Sequence, residues 1–480
     1  MIARITSIAK NNVFLKNFSV LTFSSVLTQF LTMIIGIKIA RLLSPYNFGM
    51  YNLLQLHVVI FTVIATLGIR RVIIRNIARD KTNIEGLLKS SMTLRVIGLT
   101  FAVTAFGVYY YYFQSYDIFL FGLVILSMLM MVSFDHFDSL AFGLEKMELS
   151  GFVNIISSIC WILVILLLPD EYLDITTIFI IFTFYTIFKA LLFFIIIRIR
   201  TKFSIKLNTS VDEKNKVSKL VSDSLPFYYL DLFTLLSMQI PILFLEFRSG
   251  TEEIGYFNIA SKVLLPISLI VNTALSAIFP IIARLYSQNF PRFITIIKLM
   301  FIAICLFGIS GAFAVTLFRE EIVVLLYGEK YLSSSLVLSY QCWYVAFFSI
   351  VCLIGTILGA IDRQKELSYL ALVCTLIQVP LLWYGSKFGA QYLSAAFLVA
   401  TVITLGLHFF VINNYVKEKI SFSFYFTISA LMAVGYFLSL QLSPEIDLIY
   451  KFLFLIISVA IGSIFLYTRY GKTIKETFAK

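Results

Sequence analysis

About fourteen apolar segments, joined by loops whose charge sign alternates along the chain, decide what this sequence can fold into. Hydrophobic residues fill 60% of its 480 positions and charged residues only 13%. A soluble core of this size has no use for so much apolar surface. A bundle of membrane-spanning helices does, because backbone polar groups in lipid must be satisfied within each segment. The predicted spans are 18–40, 48–68, 89–112, 117–140, 149–168, 175–198, 224–245, 254–282, 293–316, 333–359, 367–386, 389–413, 421–441 and 448–467. Each can cross a hydrocarbon core of about 30 Å at about 1.5 Å per residue. The segments 254–282 and 333–359 are longer than needed and must tilt, kink or protrude. The fold class is therefore an all-α polytopic membrane protein with about 14 transmembrane helices.

The loops also set the orientation. Most of the 38 Lys and Arg residues fall on one side of the spans, and that side is cytoplasmic by the rule that basic loops stay inside. One inner loop holds Arg70, Arg71, Arg75, Arg79 and Lys81; another holds Arg198, Arg200, Lys202, Lys206, Lys214, Lys216 and Lys219. Outer loops are acidic or bland, as in Pro169, Asp170, Glu171 and Asp174. Both termini are then cytoplasmic. The formal charge of +12 is mainly this orientation signal, and no basic soluble face offers itself to nucleic acid. The first apolar run begins near Phe18 and exceeds a signal-peptide core, so it is expected to stay as the first span. Cys160, Cys305, Cys342, Cys352 and Cys374 all lie in apolar stretches without metal spacing and read as small buried hydrophobes. No phosphate-binding loop, metal cluster or catalytic triad order is present, so no enzyme activity and no cofactor are expected.

An internal repeat organises the chain. Gly49-Met50-Tyr51-Asn52 opens the second span and Gly255-Tyr256-Phe257-Asn258 the eighth. Ile77-Ala78-Arg79 is matched by Ile282-Ala283-Arg284, and Glu148-Leu149-Ser150 by Glu366-Leu367-Ser368. Three matches in one order point to duplication. Each half has an even number of spans, so the repeat is parallel, about an axis along the membrane normal. The expected organisation is an N-terminal six-helix lobe (1–198), a cytoplasmic linker (199–223), a C-terminal six-helix lobe (224–416) and two additional helices with a cytoplasmic tail (417–480).

The stretch Arg41-Leu42-Leu43-Ser44-Pro45-Tyr46-Asn47-Phe48-Gly49-Met50-Tyr51 resembles the loop after the first span in O-antigen-type polysaccharide repeat-unit flippases. These belong to the multidrug/oligosaccharidyl-lipid/polysaccharide exporter (MOP) superfamily. Ile254-Gly255-Tyr256-Phe257-Asn258-Ile259-Ala260-Ser261-Lys262 with Pro266, and the turn Phe142-Gly143-Leu144-Glu145-Lys146, are similar to the same family. The resemblance implies two lobes of the multidrug-exporter kind around a V-shaped cavity that opens to either side in turn. It implies a bacterial inner-membrane protein and a substrate of undecaprenyl-diphosphate-linked oligosaccharide, flipped from the cytoplasmic to the periplasmic leaflet. A polysaccharide polymerase and a chain-length regulator are the implied partners, with membrane lipids around it. Alternatives are a multidrug or other lipid-linked precursor exporter, or a membrane polysaccharide polymerase or ligase. The short outer loops argue against the last.

Ionisable groups at membrane depth supply the candidate site residues, because each is expensive there unless it faces a cavity or a partner. Lys262 lies well inside the eighth span, and the resemblance implies that it projects into the cavity; a structural pair is the alternative. His57 sits at similar depth in the second span, either packed between helices or lining the cavity. Lys189 and Asp231 could pair with each other, or line the cleft and couple ion movement. Asp135, His136 and Asp138 cluster near the inner end of the fourth span, where hydration competes with an ion-coupling role for Asp135. Lys38 is near enough to the outer face to snorkel. Arg70, Arg71 and Arg75 signal orientation, and their guanidiniums also match a diphosphate bidentately. Pro241, Pro266, Pro280 and Pro380 permit bends, as hinges or as static packing.

Overall fold

A computed structural model describes residues 13–79, 84–113, 116–201 and 213–416, with residues 434, 450, 451 and 456. Among these every regular element is a helix. In chain order they are α1 (Val13–Leu42), α2 (Pro45–Thr66), α3 (Ile69–Arg79), α4 (Ile84–Phe113), α5 (Ile118–Gly143), α6 (Met147–Leu167) and α7 (Ile175–Thr201). There follow α8 (Glu213–Arg248), α9 (Thr251–Gln288), α10 (Phe290–Leu317), α11 (Arg319–Tyr327), α12 (Ser334–Ala360), α13 (Gln364–Ser386) and α14 (Ala390–Tyr415). Two short 3-10 turns, Asp170–Tyr172 and Glu329–Tyr331, complete the list.

Eleven of these helices are long and apolar enough to cross a membrane, and Val217–Phe233 with Met238–Arg248 makes one further candidate bent by 58°. The set follows the order of the first twelve predicted spans. The thirteenth and fourteenth lie outside the described residues except for residues 434, 450, 451 and 456. The bend in α8 has a local cause. Pro241 has no N–H for the carbonyl four residues earlier, and the break between 233 and 238 falls in that turn. The starts of the spans are set by caps. Ser44 Oγ accepts from the Asn47 amide at 3.3 Å with Pro45 in the first turn, Asp117 accepts from Phe119, and Asn289 accepts from Arg292.

Three expectations change. The inner loop at 70–79 is not a loop: Ile69–Arg79 is a helix. Its Ile69, Val72, Ile73 and Ile77 are buried on one face, and its arginines take the other. The linker assigned to 199–223 is helical to Thr201 and again from Glu213, leaving only 202–212 outside the described helices. The long eighth span becomes the 38-residue α9, which stays continuous through Pro266 and Pro280. In the first half the matching stretch breaks at Leu67–Gly68, both at positive φ, into α2 and α3.

The chain forms two compact units, Met1–Ile240 and Pro241–Lys480. In the first, α1 packs on α6, α5 on α7 and α2 on α4, while α3 lies against α5. Its core joins the apolar face of α3 to Leu88, Leu140, Val153, Phe193 and Leu220. In the second, α12 is the central helix, in contact with α9, α10 and α14. Its Trp343 is fully buried and donates to Thr316 at 3.0 Å. Large apolar side chains such as Phe101, Phe184 and Leu376 are exposed on both units, as a lipid-facing surface requires. The two halves repeat each other in backbone detail. Glu145 and Asp362, at φ of 62° and 61°, close the turns after α5 and α12. The next residues, Lys146 and Arg363, also share a conformation, (−103°, 46°) and (−105°, 43°).

Candidate functional site

The densest charge in the described residues belongs to the first unit, where α3, α4, α5 and α8 meet. Amphipathic periodicity turns the apolar face of α3 into the core and leaves Arg70, Arg71 and Arg75 on its polar side. Each guanidinium finds a carboxylate. Arg70 donates to Asp135 Oδ1 at 2.8 Å and pairs with Asp138 Oδ2 at 2.5 Å. Arg71 pairs with Asp231 at 2.8 Å and Arg75 with Asp223 at 2.9 Å, so two rungs join α3 to the first part of α8. Gly68 allows this approach: a Cβ there would stand 2.4 Å from the Tyr228 backbone nitrogen.

A fourth arginine, absent from the sequence-based site, organises the buried end. Arg95 of α4 is 3% exposed. It donates to Asp135 Oδ2 at 2.5 Å, to Ser91 Oγ at 3.2 Å and to the Val132 carbonyl at 3.4 Å. Ser91 also lies 3.5 Å from His136 Nδ1. Asp135 thus has one oxygen on each of two guanidiniums. Arg95 Nη2 and Asp138 Oδ1 are buried without a hydrogen-bond partner among the described residues. The one sequence signal for Arg95 was an arginine well inside an apolar span.

The network counts four guanidiniums (Arg70, Arg71, Arg75, Arg95) against four carboxylates (Asp135, Asp138, Asp223, Asp231) and is balanced. The arginine cluster is therefore not an open cationic patch. An incoming anion has to exchange with a carboxylate, and Arg71 and Arg75, at 44% and 37% side-chain exposure, are the most accessible for it.

The remaining predicted residues lie apart from this network. Lys189 does not take Asp231. Its ammonium sits 4.2 Å from the centre of the Phe134 ring and 5.8 Å from that of Tyr185, an arrangement that solvates a cation inside an apolar bundle. His57 is 1% exposed and enclosed by the rings of Phe106, Tyr109 and Tyr116, with the Tyr116 hydroxyl 3.4 Å from Nδ1. Lys38 pairs with Asp170 at 2.6 Å rather than simply snorkelling.

Lys262 belongs to the second unit, half-buried and eleven residues beyond Thr251, about 16 Å along the α9 axis at about 1.5 Å per residue. Beside it Ser261 donates to Gln341 Oε1 at 3.0 Å, and Gln341 reaches the Phe257 carbonyl at 3.3 Å and Ser394 at 3.4 Å. A polar seam thus joins α9, α12 and α14 near the lysine. Cys305 and Cys342 are buried, the other cysteines half-buried, and all five are free.

Comparison with known proteins follows the same line. A family model described as "polysaccharide biosynthesis protein" matches residues 14–286, more than half of the chain. The chain is 23% identical over 381 residues to the capsular polysaccharide biosynthesis protein CapF of Staphylococcus aureus, covering 75% of this chain and 90% of that protein. Among solved structures it is similar to the lipid II flippase MurJ in an inward closed conformation, with a TM-score of 0.69 at 16% identity over 94% of this chain and 99% of that one. It is also similar to an inward-facing multidrug resistance transporter of the MATE family in the MOP superfamily, with a TM-score of 0.60 at 14% identity over 82% of this chain and 96% of that one. At these identities the solved structures establish the fold.

Proposed function

The chain belongs to the polysaccharide biosynthesis protein family, and from that premise we propose that it is a flippase for undecaprenyl-diphosphate-linked oligosaccharide repeat units. It moves them from the cytoplasmic to the periplasmic leaflet of a bacterial inner membrane by alternating access, with both of its own termini in the cytoplasm. The observation that carries the reading is the family match over residues 14–286 on a fold shared with transporters rather than enzymes.

The chemistry of the lobes fits a diphosphate cargo. A diphosphate moved through lipid without compensation meets a large desolvation penalty. Charge-assisted hydrogen bonds, roughly twice as strong as neutral ones, offset it. In this reading Arg71 and Arg75 receive the headgroup first by releasing Asp231 and Asp223, whose pairs are the most exposed of the network. Lys262 holds the diphosphate at depth. The buried Arg70–Arg95–Asp135–Asp138 set keeps the receiving helix α3 fixed on α4 and α5. Ion coupling falls to Asp231 rather than to Asp135, because both Asp135 oxygens are already engaged by guanidiniums whereas Asp231 is paired through one. His57 and Lys189 shape the lobe without touching substrate. A polymerase and a chain-length regulator act on what is delivered.

Deleting the gene tests the reading. Lipid-linked repeat units then accumulate on the cytoplasmic leaflet and surface polysaccharide disappears. Exported but unpolymerised units would instead favour a polymerase or ligase. Intact polysaccharide with a changed drug susceptibility would favour a multidrug exporter.

A further inference from the structure

The first unit carries a second charged site, separate from the arginine network and outside the transport reading. Where α6 begins and α7 ends, a cavity of about 620 Å³ opens on the surface of the bundle, walled by α1, α6 and α7. That volume falls within the range of about 300–1,000 Å³ typical of small-molecule pockets. Its walls are apolar, with Phe23 of α1, Phe152 and Ile155 of α6 and Ile196 of α7. Its polar end holds Glu148, in the first turn of α6, and Arg200, in the last turn of α7. Lys146 donates to the Arg200 carbonyl at 2.9 Å and ties these two helix ends together. Glu148 Oε2 is buried and has no hydrogen-bond partner among the described residues.

We infer that this groove binds a single glycerophospholipid with a primary-amine headgroup, its phosphate on Arg200, its ammonium on Glu148 and an acyl chain along Phe152 and Ile155. The place is right for a headgroup, because the ends of two spanning helices lie at the level where lipid polar groups sit. The choice among lipids follows from charge. A purely anionic headgroup would satisfy Arg200 but set its charge against Glu148. A choline headgroup has no N–H to give to the orphaned Glu148 oxygen. An ethanolamine headgroup supplies one group for each. The bound lipid would fasten α1 to the α6–α7 pair.

Native mass spectrometry of the full-length protein in detergent tests this. Synthetic phosphatidylethanolamine, phosphatidylcholine and phosphatidylglycerol with identical acyl chains are titrated separately. One phosphatidylethanolamine should bind at a concentration about tenfold below that for phosphatidylcholine, the effect of one charge-assisted hydrogen bond. Glu148→Gln should abolish that preference. Arg200→Ala should weaken both lipids by about tenfold. Ile155→Trp, which fills the groove, should remove the tight site for both. Equal binding of all three lipids, tighter binding of phosphatidylglycerol, or an undiminished preference in Glu148→Gln would overturn the assignment. The comparison among the three lipids on the unmodified protein decides the question even if a variant does not fold.

Discussion

Asp135→Asn is the perturbation that tests the charge network most sharply. Asp135 accepts from Arg70 at 2.8 Å and from Arg95 at 2.5 Å. Hydrogen bonds to charged groups are worth about 1.5–3 kcal/mol each, so the two together contribute about 3–6 kcal/mol. Arg70 keeps Asp138 in the variant, but Arg95 is left 3% exposed with only Ser91 and a carbonyl. Orphaning one member of a buried pair typically costs about 3–5 kcal/mol. With an unfolding entropy of about 2.1 cal/mol/K per residue, the 240 residues of the first unit give about 0.5 kcal/mol/K. The loss then lowers the melting temperature by about 6–10 °C. Asp223→Asn is the control. Its pair with Arg75 is about one-third exposed on both sides, and such pairs are worth about 0–1 kcal/mol, or less than about 2 °C here. Replacing the buried pair with a packed apolar one, Arg95→Met with Asp135→Leu, should recover part of what Asp135→Asn loses. The assay is tryptophan fluorescence during thermal unfolding in detergent. Equal shifts for Asp135→Asn and Asp223→Asn would refute the argument that burial, rather than pairing itself, sets the penalty.

Other expectations follow from the same geometry. Lys262→Ala should strongly reduce surface polysaccharide at normal expression, Lys262→Arg should keep much of it, and Lys262→Glu should be worst; wild-type export by Lys262→Glu would show that this residue does not meet the diphosphate. Gly68→Ala puts a Cβ 2.4 Å from the Tyr228 backbone at a φ of +67° and should destabilise by about 3 kcal/mol or more. Gly107→Ala, where a Cβ meets nothing within 4 Å, should be neutral or stabilising by up to about 1 kcal/mol. Melting temperatures separate the two, and similar values would show that α8 does not press on Gly68. Reporter fusions after Lys214 and at Lys480 should read cytoplasmic and one after Asp174 periplasmic; an inverted result at any site breaks the proposed topology.

The spans were legible because apolar length is a local property. Segments such as 118–143 and 175–200 announce themselves without knowledge of their neighbours. So do the turns, since Ser44-Pro45 caps α2 by chemistry written in two adjacent residues. Other features are hidden in the sequence by dense charge. Arg70 to Arg79 read as a loop, although Ile69, Val72, Ile73 and Ile77 carry a helical period through them. The polar start of α8 read as linker, although Leu220 packs into the core of the first unit. Pairing was the least legible. Lys189 and Asp231 lie on neighbouring predicted spans at similar depth, yet the rotation of each helix about its axis sends one to Phe134 and the other to Arg71. That rotation is fixed by packing across the whole lobe and is not encoded near either residue. Arg95 is hard to read from sequence for a related reason. A single arginine eleven residues beyond the start of α4 gains meaning only when Asp135 is brought opposite it.

Reconstitution tests directly the proposal that this chain moves a lipid-linked oligosaccharide between leaflets. Purified protein is placed in sealed proteoliposomes carrying undecaprenyl-diphosphate oligosaccharide on one leaflet, and a membrane-impermeant lectin added outside reports arrival at the other. Transfer should require the protein and fall sharply in Lys262→Glu. Transfer at the rate of protein-free vesicles, with the protein folded and both leaflets accessible to it, would contradict it.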